Sequence, residues 1–451
     1  MRAAGVADSA IRTFAQQHDR LRAGDAGVLE EAGIDPVLDL PDAEALPDAA
    51  EGVLDATVII KLNGGLGTGM GMTGPKSLLE VKRGLSFLDI TARQILHLRH
   101  TTGARLPLLL MNSFATREQS LAALGRYPEL AVPGIPPDFL QSRVPKLRAE
   151  DLAPVDWPAD PALEWAPPGH GDLYASMLGA GVLDALLAEG FRYAFVANVD
   201  NLGAVLDQRI LSWFAAEAIP FLMEVADRTP ADRKGGHLAR RPGGGLVLRE
   251  IAQTREEDLD AFQDTARHRY FNTNSLWLDL QTLQDVLTAR GGVLGLPMIV
   301  NRKTVDPSDR NSTPVIQLET AMGAAIDVIE GAQAIRVPRT RFAPVKTTDD
   351  LLALRSDAYE LHDDGRIAIV PSRAAAGRGA PVVQLDPQHC KLVSDFADRF
   401  PHGPPSLVGC ERLVVRGDVR FGAGVVVTGD VEVLQDGPDQ LVIPDGTQLD
   451  G

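Results

Sequence analysis

A short apolar run, Thr57-Val58-Ile59-Ile60-Lys61-Leu62, passes directly into a glycine-rich loop, and this pair narrows the fold more sharply than any other stretch of the chain. The loop reads Asn63-Gly64-Gly65-Leu66-Gly67-Thr68-Gly69-Met70-Gly71-Met72-Thr73-Gly74-Pro75-Lys76-Ser77, with six glycines between positions 64 and 74. An apolar run without clean alternation suits a strand buried on both faces, as in a parallel sheet. Glycine admits positive φ and lets backbone N–H groups approach an anion without side chains intervening. Lys76 adds a mobile positive charge at the end of the loop. The pattern reads as a phosphate cradle at a strand end.

Two other glycine motifs compete for the same residues. Gly69-x-Gly71-x-x-Gly74 matches the dinucleotide fingerprint formally, and Asp89 lies 20 residues beyond its first glycine. The match begins seven residues after the strand instead of at its end, and Pro75-Lys76 follows it. A P-loop fails because Pro75 separates Gly74 from Lys76. An NAD-dependent oxidoreductase stays as an alternative, and it predicts NADH binding.

Three further apolar runs, Pro107–Met111, Tyr193–Ala197 and Phe221–Val225, repeat the strand texture. Between Thr57–Leu62 and Pro107–Met111, Leu88, Ala92, Ile95 and Leu96 form a helical stripe. Strand, helix and strand in repetition predict an α/β domain. Segments near 130–170 and 300–315 read as insertions on that core. Residues 1 to about 50 have a helical rhythm and end in a Pro/Asp-rich stretch. From Cys410 the texture becomes β-rich with frequent Gly, and Arg416-Gly417-Asp418-Val419 is echoed by Thr428-Gly429-Asp430-Val431. Such punctuation suits a parallel β-helix, with an antiparallel hairpin pair as the alternative.

Lys+Arg number 44 against 61 Asp+Glu, a net charge of −17 at neutral pH. That surface repels nucleic-acid backbones and anionic membranes, so an anionic substrate needs a local positive site. Two cysteines, Cys390 and Cys410, beside nine scattered histidines exclude a disulfide scaffold and give no zinc-ligand spacing. The N-terminus has no apolar core of the signal-peptide kind, and no apolar run approaches the ~18 residues needed to span a bilayer. A soluble, cytoplasmic protein is expected.

Three smaller constellations carry chemistry. Asn198-Val199-Asp200-Asn201-Leu202-Gly203 follows the third apolar run, where α/β sheets bind ligands. Asp200 there can hold Mg2+ or close an Asx turn. Pro167-Pro168-Gly169-His170-Gly171-Asp172 sets a histidine between glycines, sterically open to a phosphate or a sugar hydroxyl. Arg339-x-Arg341 and Lys346-Thr347 lead into a helix that Thr347 can cap; such basic residues are ordinarily solvated surface. Together these point to phosphoryl or nucleotidyl chemistry without naming the sugar or base.

The same residues resemble the eukaryotic-type UTP–glucose-1-phosphate uridylyltransferase (UDP-glucose pyrophosphorylase) family. The resemblance runs through Lys61–Lys76 (KLNGGLGTGMGMTGPK), Leu110–Phe114 (LMNSF), Pro167–Ser176 (PPGHGDLYAS), Asn198–Ala204 (NVDNLGA), Lys234–Gly236 (KGG), Phe271–Trp277 (FNTNSLW), Val315–Ile326 (VIQLETAMGAAI), Val345–Leu351 (VKTTDDL) and Ile443–Gly446 (IPDG). It implies a reversible Mg2+-dependent transfer of a uridylyl group from UTP to glucose 1-phosphate, giving UDP-glucose and pyrophosphate without a covalent enzyme intermediate. It implies a nucleotidyltransferase α/β core, Rossmann-like with a mixed, mostly parallel sheet, and a C-terminal left-handed parallel β-helix. The domains expected are a helical segment over 1–50, the catalytic domain over 51–350, a connecting helix or linker over 351–385 and the β-helix over 386–451. A homo-oligomer built through the C-terminal domain is a further implication.

By the same resemblance, the backbone of Leu62, Asn63, Gly64 and Gly65, with Gly67, would hold nucleotide and phosphates. Met111, Gln141 and Gly169 would contact the uridine. Lys76 would touch the triphosphate and help pyrophosphate leave, and Asp200 would ligate Mg2+ with Asn198 beside it toward the sugar. His170 would contact the sugar phosphate, and Gly236, Glu250, Asn272 and Asn274 the glucose. Lys346 would bridge the reacting phosphates. The Leu-Asn-Gly-Gly start favours glucose over N-acetylhexosamine. Ser275 stands where the family commonly has a second Asn, and Pro307–Pro314 reads as an insertion; both are expected close to the sugar pocket. The same transfer on another sugar 1-phosphate or with another nucleotide is the nearest alternative. A sugar-nucleotide sensor without catalysis is a third, opposed by the retention of Lys76, Asp200 and Lys346.

Overall fold

A computed structural model describes residues 1–50 and 52–451. Its central mixed sheet is built on β1 (Thr57–Asn63), β2 (Leu108–Asn112), β3 (Asp138–Leu140), β4 (Tyr193–Asn198), β5 (Phe221–Asp227), β6 (Tyr270–Asp279) and β7 (Gln333–Arg336), in the spatial order β3-β2-β1-β4-β6-β5-β7. The strands β3, β2, β1 and β4 run parallel. All four apolar runs are strands. The fourth, β5, does not lie beside β4, because β6 inserts between them antiparallel to both.

Alternation along each strand sends side chains to opposite faces. Ile59, Leu108 and Phe195 meet Leu88, Ala92 and Ile95 of α1 (Phe87–Thr102) and Ile210, Leu211 and Phe214 of α2 (Gln208–Ala216). Val58, Ile60, Leu109 and Val196 pack on the other face against Leu173 and Met177 of the helix Leu173–Gly179. The predicted stripe is therefore the buried face of α1. Ser86 caps that helix, accepting from the Asp89 amide at 3.2 Å, while the Asp89 carboxylate accepts from the Ser86 amide at 3.0 Å. Gly103, at φ 73°, ends it. Asp89 also accepts from Arg126 and Tyr127 and is 4% exposed. The acid that the dinucleotide alternative needs for a ribose is thus committed to structure.

The terminal regions differ from the expected division. Within 1–50, the helix Asp8–Arg22 docks on the catalytic core through Ser9 Oγ donating to Ala175 O, and Asp35–Pro36 adds an edge strand to the main sheet. This segment belongs to the core. The two insertions also meet: Leu147–Arg148 pairs with Pro314–Glu319, which pairs with Ile299–Thr304. In the expected linker, Val382–Gln384 already pairs with Arg412–Val414 of the C-terminal unit.

Every strand pair of that C-terminal unit is parallel, which removes the hairpin alternative. The repeat is not the sequence echo. Arg412 pairs with Asp430 and Val415 with Val433, 18 residues on, whereas the two Gly-Asp-Val segments lie 12 apart and do not stack. Among the described residues no single helix is long and apolar enough to cross a membrane.

Candidate active site

Because β1 and β4 are parallel neighbours, the glycine loop and the Asp200 turn leave the sheet at the same edge, with the Val199 amide donating to Leu62 O at 3.1 Å. The loop is folded upon itself: Lys76 N donates to Gly65 O, and both Met70 N and Met72 N donate to Gly67 O. Met70 plugs it into a cluster containing Phe87, Leu202 and Val345. Among the described residues nothing accepts a hydrogen bond from the amides of Gly64, Gly65 and Gly67. These strand-end amides are therefore not committed within the fold. The Asn63 side chain turns inward, donating to Asn112 Oδ1 and Ser120 Oγ, so only its backbone can serve a ligand.

The loop delivers Lys76 to Asp200, Nζ to Oδ2 at 2.6 Å, both side chains about one-fifth exposed. The third expected group, Lys346, is exposed and stands 5.7 Å from the Phe342 ring centroid. Its segment reaches Asp200 through the backbone, Val345 N donating to Asp200 O at 3.4 Å. The Asp350 carboxylate accepts from the amides of Lys346 and Thr347 at 2.7 and 3.0 Å, fixing the entry to the helix Thr348–Arg355.

Gln141 and Gly169 come together beside Gly64. Gln141 Nε2 donates to Gly169 O at 2.9 Å, and a Cβ on Gly64 would lie 2.8 Å from Gln141 Oε1. Gly169 needs its φ of 78° and its bare backbone, because Thr320 lies against it. Met111 is 3% exposed and packs in the core, paired in the sheet with Leu62.

His170 is half-buried, not open as its flanking glycines implied. Its Nδ1 accepts from Met322 N at 2.9 Å, and burial pushes its pKa down to about 4. The neutral ring therefore carries its proton on Nε2, a donor available to an anion. Asp172 ties this turn to the segment that carries Gln141, accepting from Ser142 N at 2.6 Å.

Gly236, Glu250, Asn272 and Asn274 also assemble. The Glu250 carboxylate occupies the space beside Gly236, where a Cβ would meet Oε2 at 2.5 Å, and burial pushes its pKa up to about 7. Asn272 N donates to Gly236 O, and Asn272 Nδ2 donates to Asn274 Oδ1 at 2.9 Å. Asn274 is held at φ 58°. Asn198 ends β4 at Leu62, next to the Asp200 turn.

Two expectations about this pocket are corrected. Ser275 pairs with Glu224 and is fully buried, with no partner for its Oγ among the described residues, in a polar layer with Glu224 and Arg341 and away from Asn272. The 307–313 segment caps the far end of the hairpin that pairs Thr304 with Pro314, while Glu319 and Thr320 reach Gly169. Six strand residues separate the two ends by about 20 Å. Arg341, expected as solvated surface, instead forms a buried bidentate pair with Glu224 at 2.7 and 2.6 Å.

Asn201, Thr320, Met322 and Asp172 were assigned no role from sequence although each lies in a resembling segment. What they do, accept or donate across to another segment, leaves no local pattern.

The chain matches a family model described as UTP–glucose-1-phosphate uridylyltransferase over residues 11–428. It is 42% identical to the UTP–glucose-1-phosphate uridylyltransferase of Solanum tuberosum over 404 residues, covering 89% of this chain and 82% of that protein. A probable enzyme of the same name from Schizosaccharomyces pombe is 40% identical over 398 residues, 88% of this chain and 76% of that protein. Among solved structures, a mutant UDP-glucose pyrophosphorylase from Leishmania major in complex with UDP-glucose is similar with TM-score 0.94 at 46% identity, covering 100% of this chain and 96% of that one.

Proposed function

Since the chain belongs to the UTP–glucose-1-phosphate uridylyltransferase family, we infer that it transfers the uridylyl group of UTP to glucose 1-phosphate, giving UDP-glucose and pyrophosphate. The observation that carries this reading furthest is the family match along nearly the whole chain. The gathering of Lys76, Asp200 and the Lys346 segment at one sheet edge supports the residue roles.

The sugar phosphate oxygen attacks the α-phosphorus, an O–P bond forms, and the bond to the β,γ-diphosphate breaks as pyrophosphate leaves. The protein has two polyanions to hold in line and growing charge to neutralise. In this reading the amides of Gly64, Gly65 and Gly67 take phosphate oxygens of the nucleotide. Gln141 and Gly169 orient the uracil. Lys76 balances charge on the departing pyrophosphate, and Lys346 faces the reacting phosphates. His170 donates from Nε2 to the sugar phosphate and, with its low pKa, stays a neutral donor throughout the physiological range.

Mg2+ fits the donor set. The ion is ordinarily held by one or two carboxylates plus substrate phosphates, and Asp200 is the carboxylate at the loop junction. Asp200 would hold it, and when bound it neutralises charge on the phosphates.

The C-terminal parallel sheets are read as coils of a left-handed β-helix, supported by the 18-residue offset of Arg412 with Asp430 and Val415 with Val433.

Pyrophosphate release with Mg2+ and glucose 1-phosphate, run against UTP, dTTP, GTP and ATP, tests the function. Rapid release with UTP alone is expected; release only with another nucleotide would replace the assignment. A second measurement addresses Glu250. Its raised pKa keeps the carboxyl protonated until about pH 7, and above that the carboxylate can accept from sugar hydroxyls. Therefore kcat/KM for glucose 1-phosphate rises through an inflection near pH 7. In Glu250→Gln that inflection disappears and kcat/KM falls about 10- to 100-fold, while the substrate phosphate's own titration near ~6 remains. An unaltered inflection in the variant would remove Glu250 from the sugar site.

A further inference from the structure

We propose that Asn201 is a positioning residue that locks the Asp200 turn and the Lys346 segment into one unit, so that the two groups on which the reaction depends hold a fixed separation. The proposal rests on the reaction assigned above for its catalytic consequence, and on geometry for the lock itself.

Asn201 is 2% exposed and spends its amide across the gap between the two segments. Its Oδ1 accepts from Gly203 N at 3.2 Å, within its own turn, and from Ala343 N at 3.0 Å, on the opposite segment. Its Nδ2 donates to Arg341 O at 3.1 Å. The backbones of Asn201 and Pro344 form an antiparallel bridge. One side chain thus connects the residue after Asp200 to the backbone three and five residues before Lys346.

Three features show that the surroundings are built for this contact. Gly203 leaves room for the incoming segment: a Cβ there would stand 2.5 Å from Thr340 O and 2.8 Å from the Arg341 carbonyl carbon. Arg341 anchors the same segment from below through Glu224, whose carboxylate also accepts from Trp277 Nε1 at 2.9 Å. Lys61, buried beneath, donates to Ala204 O at 2.8 Å and holds the turn from the sheet side. The side-chain contacts of Asn201 therefore join two separately anchored halves, alongside the bond from Val345 N to Asp200 O.

Serine separates the local from the bridging role. Its hydroxyl can keep the bond to Gly203 N as a turn of the same kind, but it is too short to reach Ala343 N and Arg341 O together. In Asn201→Ser, kcat is expected to fall about 10- to 100-fold with KM for UTP and glucose 1-phosphate nearly unchanged, because the groups that bind the ground state stay while those that act in the transition state lose their alignment. In a Lys346→Ala background the same substitution should cost less than about 3-fold, because the group it places is gone. A full multiplicative loss in both backgrounds would overturn the positioning role and leave general destabilisation.

Hydrogen exchange reads the lock without turnover. The amides of residues 341–343, 345 and 346 should exchange faster in Asn201→Ser than in the unsubstituted protein; unchanged exchange there would overturn the proposal whatever the kinetics. If the unsubstituted protein releases no pyrophosphate while exchange rises, the assigned reaction fails and the lock stands. Should Asn201→Ser not fold, Gly203→Ala wedges the same segment away from the other side, with the same expected exchange and kcat.

Discussion

Lys346→Ala should lower kcat by about 10³-fold or more while leaving Tm close to that of the unsubstituted protein. The two halves of this expectation have separate causes. Lys346 is exposed and its ammonium makes no ion pair among the described residues, so its removal uncovers no buried charge and gives up a solvent-exposed contact over the Phe342 ring, 5.7 Å from the centroid. The entry to the helix Thr348–Arg355 is fixed by backbone amides donating to Asp350, which the substitution leaves in place. Loss of turnover therefore reports chemistry. On a chain of net charge −17, a cation facing the reacting phosphates has few substitutes. Lys346→Arg discriminates further: it keeps the charge but replaces a compact ammonium by a wider fork, and partial recovery is expected. Near-normal turnover in Lys346→Ala would remove this residue from the mechanism.

Asp200→Ala should abolish activity on a similar scale, about 10³-fold, and flatten its dependence on Mg2+ concentration. Here the structural consequence is not neutral, because Asp200 pairs with Lys76 at 2.6 Å. Removing the carboxylate frees Lys76, which is less than one-fifth exposed. The freed ammonium should bind UTP no worse, and KM for UTP should stay level or fall as kcat collapses. Asp200→Asn preserves size and leaves hydrogen-bonding capacity without the charge, so it should reproduce the kinetic loss with less change in Tm. Retention of a steep Mg2+ response in either variant would show that another group holds the metal.

The positions of the groups concerned divide according to how local their cause is. The strand Thr57–Asn63, the glycine loop at its end and Asp200 beyond Tyr193–Asn198 were readable because apolar runs and backbone-permissive glycines report burial and conformation over a few residues. The α1 stripe was readable for the same reason. The resemblance carried the remaining candidates, and the fold brings Gln141 to Gly169 and Glu250 and Asn272 to Gly236. His170 does not fit its expected openness, since burial depends on what the rest of the chain lays over a residue.

What stayed illegible is non-local. Nothing in Phe221–Val225 announces that Tyr270–Asp279 will slip between it and Tyr193–Asn198, because strand order follows from pairing energies and chain closure over many tens of residues. The joining of the two insertions, the turn of Ser275 toward Glu224, the sinking of Arg341 and the bridging amide of Asn201 are of the same kind. The amino-acid sequence alone determined that four apolar runs are strands, where a glycine loop leaves the sheet and which family's residues are present. Only the tertiary structure decided which of those residues are held by which, because a hydrogen bond between positions 201 and 343 has no periodicity along the chain and exists only once both segments are packed on the same sheet edge.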